Sequence, residues 1–186
     1  MAHAGTFTPE KLIMGVLISR PGRADQLVSL LVERWGGFDY RSPPMPFTFT
    51  DYYDKEMGQP IERFFLSFER LVDPGLLARV KQETNRLEDL FREDGRRKVN
   101  LDPGLMALSR FSLATTKESA HRVPLDAGIY AEITLLYSRG SFRPLDWTYP
   151  DFRSEGYLAI LNEVRALYKA QLAALAPREA PSPGSR

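Results

Sequence analysis

The stretch from Lys11 to Ser19 constrains this chain most. From Leu12 to Ile18 it is apolar apart from one glycine, and Pro21-Gly22 closes it. A run of that length bounded by turn residues reads as a buried strand. It is too short to span a bilayer, which takes about 20 apolar residues. Ala24 to Trp35 follows, with Leu27, Val28, Leu31 and Trp35 at helical spacing and Gly36-Gly37 as a stop. That pattern predicts an amphipathic helix. Phe38 to Phe49 alternates but carries Pro43, Pro44 and Pro46, so it reads as an edge strand or extended segment. Arg63 to Leu71 reads as a strand. Asp73-Pro74 then supplies an N-cap and a first-turn proline for a second helix, whose apolar stripe runs to Arg92. Arg96 to Leu101 reads as another strand. Strand, helix, strand, strand, helix, strand is the split-βαβ order.

The next segment is ambiguous. Asp102-Pro103-Gly104 repeats the helix opening of Asp73-Pro74-Gly75, which would make Leu105 to Phe111 a short helix. Phe111 to Thr115 equally suits a strand, and periodicity does not decide between such short runs. Ile129 to Tyr137 alternates well. A turn at Ser138-Arg139-Gly140-Ser141 would return Phe142 to Leu145 as a hairpin. Ser154 suits the cap of a last helix ending before Pro177. The expected fold class is therefore α+β, a ferredoxin-like (split βαβ) core with an added C-terminal β-hairpin and helix. The expected organisation is a flexible start over 1–10, one domain over 11–176, and a disordered Pro/Gly/Ser-rich tail over 177–186.

Composition removes several function classes. Twenty-five basic residues against 24 acidic leave a net charge of +1. That disfavours broad electrostatic attraction to nucleic acid or an anionic membrane. The chain has no cysteine, which excludes disulfides, thiolate metal sites, cysteine nucleophiles and iron–sulfur clusters, and fits a reducing cytoplasm. The first ten residues have neither the basic nor the apolar region of a secretory signal. No G-x-x-x-x-G-K-[ST] loop is present for a Walker-type phosphate cradle.

Several clusters are suited to chemistry, and each has a plainer reading beside it. Thr50-Asp51-Tyr52-Tyr53, with Glu56 beyond, suits a cation-binding or basic loop, or simply a capped turn. Alternation puts Asn100 and Asp102 on one face of a strand end, although Asp-Pro also opens helices. Thr115-Thr116-Lys117 with His121-Arg122 gathers groups that bind phosphate or carboxylate, or else a solvated loop. His121 is the side chain suited to acid–base work near neutrality. On Ile129 to Tyr137, alternation sets Tyr130, Glu132 and Thr134 on one face, the wet one on sheet statistics; a second layer would be needed to place Glu132 in a cleft. Arg20-Pro21-Gly22-Arg23 offers two arginines at a helix start. Trp147-Thr148-Tyr149-Pro150 reads as a loop packed across the sheet edge.

Seven strings can be set against a family. They are Phe47-Thr48-Phe49-Thr50-Asp51-Tyr52-Tyr53, Glu56-Met57-Gly58, Val99-Asn100-Leu101-Asp102-Pro103-Gly104, Ala114-Thr115-Thr116-Lys117, His121-Arg122, Gly128-Ile129-Tyr130-Ala131-Glu132 and Trp147-Thr148-Tyr149-Pro150-Asp151. Together, from about Lys11 to Leu172, the chain resembles the bacterial domain-of-unknown-function family 4416. The resemblance implies no activity. The reading favoured by the residues is a polar cleft binding a small anionic or phosphate-bearing ligand, with or without a divalent cation. His121 and Asp102 are its candidate catalytic groups. Asp51, Tyr52, Glu56, Asn100, Thr116, Lys117, Arg122 and Glu132 are its candidate ligand-binding groups. The metal and cofactor are left open, as is whether the protein is an enzyme. Two alternatives stand beside it. One is a protein- or RNA-binding sheet using Phe64, Phe65, Phe68 and Phe111. The other is a homodimeric scaffold built on Tyr157, Tyr168 and Leu172.

Overall fold

The computed structural model describes residue 3 and residues 5–175. The expected tail over 177–186 lies outside the described residues. Among the described residues the fold is α+β, with one nine-stranded antiparallel sheet and four α-helices. In chain order these are β1 (Glu10–Ile18), α1 (Ala24–Trp35), β2 (Phe38–Arg41), β3 (Met45–Pro46), α2 (Asp54–Met57), β4 (Glu62–Val72) and α3 (Leu77–Asp89). They continue with β5 (Val99–Met106), β6 (Arg110–Thr115), β7 (Arg122–Asp126), β8 (Ile129–Ser138), β9 (Ser141–Pro144) and α4 (Glu155–Leu175). The sheet order is β2-β4-β1-β5-β6-β8-β7, with β3 beside β4 and β9 beside β8. No helix among the described residues is long and apolar enough to cross a membrane.

All nine residues of β1 are buried because both faces of the sheet are covered. Leu12, Met14, Val16 and Ile18 pack with Leu27, Val28 and Leu31 of α1 and with Leu77, Val80 and Leu87 of α3. On the other face, Ile13, Phe65, Phe111 and Leu135 pack with Phe152 and with Tyr157, Leu161, Val164 and Tyr168 of α4. A strand covered on both sides has no wet positions, hence the unbroken apolar run.

This double cover buries the aromatic residues named for the two alternatives. Phe64, Phe65, Phe68 and Phe111 are at most 2% exposed, so they present no stacking platform. Tyr157 and Tyr168 are equally buried, and Leu172 packs against their cluster.

Several boundaries differ from expectation. The proline-rich stretch is two short strands rather than one extended segment, because Pro43 and Pro44 interrupt it. Asp73 does cap, accepting from the Gly75 amide at 2.8 Å, but it opens a 3-10 turn over Pro74–Leu76 that leads into α3. The helix then stops at Asp89 rather than Arg92. The helical alternative for 102–111 is overturned: β5 runs through Asp102-Pro103-Gly104 to Met106, and β6 follows. Pro103 is tolerated because β6 pairs with β5 only from Gly104 onward, leaving no partner strand on that side of the proline. Gly104 is required there, since a Cβ would lie 2.6 Å from the Phe111 ring. The strand β7 was not anticipated.

Candidate functional site

The site arises where the sheet splits. β5 and β6 pair only between Gly104–Met106 and Phe111–Leu113. Beyond that, Asn100 and Asp102 on one side and Ala114 to Lys117 on the other line one cleft of about 870 Å³. The bare edge of β5 is satisfied by α3: the Leu101 N–H donates to Glu88 Oε1 at 2.8 Å, and Lys81 Nζ donates to the Leu101 carbonyl at 2.7 Å. Two side chains thus replace the missing strand, as buried backbone groups require.

Arg63 is the hub of the floor. It is 2% exposed, donates to Asp102 Oδ2 at 2.9 Å and pairs with Asp151 Oδ2 at 3.3 Å. Its guanidinium carbon lies 5.5–6.0 Å from the ring centres of Phe47, Phe65, Phe152 and Tyr157. Gly15 makes room for it, since a Cβ at that position would sit 2.6 Å from Arg63 Nη1. Asn100 Nδ2 donates to Asp102 Oδ1 at 2.8 Å. A second arginine, Arg97, forks onto both oxygens of Glu56 at 2.7 Å and reaches Glu88 at 3.1 Å. That fork geometry is the strong form of the pair.

These contacts push the acids apart. Burial raises Asp102, but Arg63 and Lys81, with the Asn100 hydrogen bond, outweigh it and hold the carboxyl below its ordinary value. Burial raises Asp151, and Arg63 only partly offsets it. Burial likewise raises Glu88, whereas the Arg97 hydrogen bonds lower Glu56. One arginine thus holds two carboxyls whose environments push them in opposite directions. Burial also raises the Tyr157 phenol to about 12, keeping it protonated.

The far wall is β8. Glu132 is 1% exposed, contrary to the wet face expected from alternation. The reversal has two causes. Phe111 pairs with Leu135 and Ser112 with Ile133, so a bulge at Thr134 flips the alternation and leaves Ile133 at 42% exposure. The 145–153 loop then supplies the second layer. Trp147 Nε1 donates to the Ile133 carbonyl at 2.8 Å, and Thr148 Oγ1 donates to the Thr134 carbonyl. Glu132 Oε2 accepts from Arg122 Nε at 2.8 Å and bonds His121 Nε2 at 3.1 Å, while its Oε1 has no partner. Arg122 also donates to the Lys117 carbonyl and to the Tyr149 hydroxyl.

Of the ten expected site residues, Tyr52, Glu56, Asn100, Asp102, Thr116, Lys117 and Glu132 line this cleft, and Asp51, His121 and Arg122 do not. Asp51 is exposed on a turn that Thr50 caps through the Tyr52 amide. His121 stacks on Trp147 at 5.1 Å and stands one hydrogen bond behind Glu132. Arg122 is likewise in the support layer. Arg20 and Arg23 are both paired with Glu93. Sequence reasoning missed Arg63, Lys81, Glu88, Arg97 and Asp151. The available signals were an arginine opening an apolar strand, charges beside the Val80 and Leu87 stripe of a helix, and an aspartate closing the Trp147 string. Among the described residues no three His, Asp or Glu side chains group to hold a metal ion.

Fold and site together define an α+β protein with a charged cleft between splayed strands. The chain belongs to the family described as Domain of unknown function (DUF4416), whose model matches residues 8–168. No curated protein and no solved structure matches it.

Proposed function

We propose that the protein binds a small anionic or phosphate-bearing ligand in this cleft. Lys117 and Thr116 receive the anion, and Asn100, Asp102 and Arg63 form the polar floor. The observation that carries the reading is convergence: seven candidate residues, remote along the chain, line one cavity whose volume lies in the roughly 300–1,000 Å³ range of ligand sites. Lys117 has no carboxylate partner among the described residues; its ammonium rests 4.4 Å from the Tyr52 ring centre. His121 and Arg122 position Glu132 rather than touch ligand. A divalent cation enters only as a companion of the ligand. The test is a thermal-shift titration with inorganic phosphate, ethyl phosphate and acetate, because a ligand that prefers the native state raises the Tm. A rise with at least one of these anions, lost in Lys117→Ala, supports the reading. Absence of any rise refutes it.

The order β2-β4-β1-β5, with α1 and α3 on one face, supports a ferredoxin-like core within a single domain over 11–176. The absence of cysteine supports placing it in a bacterial cytoplasm, the bacterial part resting on the family resemblance.

A further inference from the structure

The cleft's charged groups mostly neutralise one another. Five lysine and arginine side chains line it against six aspartates and glutamates. Arg63 is held by two carboxylates, Arg97 by two, Lys81 by Glu88 and Arg92 by Asp89. Lys117 is the one cation of the lining without a carboxylate partner among the described residues. On the neighbouring strand β8, Glu132 Oε1 is buried without a hydrogen-bond partner. A buried carboxylate oxygen without a donor is costly, so such groups are rare and signal function. Its other oxygen is fixed by Arg122 and His121, which sets the orientation of the whole carboxylate.

Lys117 and Glu132 line the same cleft. The Arg122 guanidinium ties their strand segments together, with Nε 2.8 Å from Glu132 Oε2 and Nη1 2.8 Å from the Lys117 main-chain carbonyl. We propose that the ligand is bipolar: an anionic group for Lys117 joined to a cationic N–H donor for Glu132 Oε1. This rests on the anion-binding reading above and narrows it to aminated acids, phosphorylated or carboxylated, as against simple anions. Glu132 is 1% exposed, so the amine reaches it by displacing the side chains that close over the carboxylate.

Isothermal titration calorimetry of the full chain with matched probes tests this. The probes are ω-aminoalkyl phosphates, ethyl to butyl, each against the alkyl phosphate of the same length. A hydrogen bond between charged groups predicts that at least one amine binds about tenfold or more tightly than its partner. Glu132→Gln is expected to lose that preference within each pair. Equal affinity within every pair overturns the bipolar ligand and leaves the anion site standing. Binding by neither member of any pair refutes the anion site itself. Should Glu132→Gln fail to fold by circular dichroism, the wild-type pairs decide the question alone.

Discussion

Replacing Arg63 with methionine keeps an unbranched chain among the four aromatic rings but removes the charge between Asp102 and Asp151. Both acids are then left without their shared partner. Breaking a buried pair in this way costs about 3–5 kcal/mol, because an uncompensated charge stays in a low-dielectric site. The penalty has a definite pH dependence. In the wild type, burial raises Asp102, but Arg63, Lys81 and Asn100 carry it below its ordinary value. That contribution is present above the ordinary aspartate range, about 3.9, and is lost as pH falls through the lower folded value. Without Arg63, burial acts with less opposition and Asp102 rises. The sign then reverses, so stability is retained below the unfolded value and lost as pH rises through the folded one. Asp151, which burial already raises against Arg63, moves further the same way.

The difference between wild type and Arg63→Met is therefore expected to reach the full ~3–5 kcal/mol by pH 7 and to shrink as pH falls below the ordinary aspartate range. Urea unfolding at pH 3, 5 and 7, followed by circular dichroism, measures it. With native stabilities of about 5–15 kcal/mol, the variant remains measurable. A penalty under about 1 kcal/mol at pH 7 would give the pair the worth of a solvated surface bridge. One that did not change with pH would show that the two carboxyls do not depend on Arg63. Either result refutes the argument.

Three further outcomes follow from the same contacts. Gly15→Ala places a methyl 2.6 Å from Arg63 Nη1; overpacking of this kind costs about 1–3 kcal/mol, and a double-mutant cycle should show the cost shrinking in the Arg63→Met background. Glu88→Ala strips the Leu101 amide and buried Lys81 of their partner and should cost about 3–5 kcal/mol, with faster hydrogen exchange at Leu101, whereas Glu56→Ala at the exposed end of the same network should cost under about 1 kcal/mol. Thr148→Val removes a buried hydroxyl that donates to the Thr134 carbonyl and accepts from the Leu145 amide, and is expected to cost about 1–3 kcal/mol in urea unfolding.

The elements legible in the sequence were those whose apolar pattern matches their burial. β1 is an unbroken run buried on both faces, α1, α3 and α4 have apolar stripes that match the faces they bury, and the helix ends carry Gly36, Asp73 and Ser154. Ser154 does cap α4, through its carbonyl to the Leu158 amide and its hydroxyl to the Tyr157 amide. What failed was local chemistry overruled by tertiary pairing. Asp102-Pro103 has every local mark of a helix start, but β1 pairs with it residue for residue, Gly15 with Asp102 and Met14 with Pro103. The strand β7 has three apolar residues, Val123, Pro124 and Leu125, all of which stay exposed, and its pairing with β8 supplies what its sequence does not advertise.

The site divides along the same line. Seven candidate residues line the cleft, although a capped turn, a helix opening or a solvated loop would account for each string taken alone. The hub was illegible for a physical reason. Arg63 is suited to its place by its shape: long enough to reach between β1 and the 145–153 loop, and tolerated only because Gly15 stands opposite. Glycine and arginine lie 48 positions apart and neither is unusual alone. Glu132 shows the reverse error, since its period was read correctly but a bulge two residues on and an aromatic loop buried the face expected to be wet. Both cases share one cause. The cleft exists because β5 and β6 part company at Gly104, and a strand that leaves its neighbour exposes an edge that side chains from elsewhere must satisfy. Lys81 and Glu88 do this for β5, so these buried charges mark the boundary of the split rather than a defect in the core.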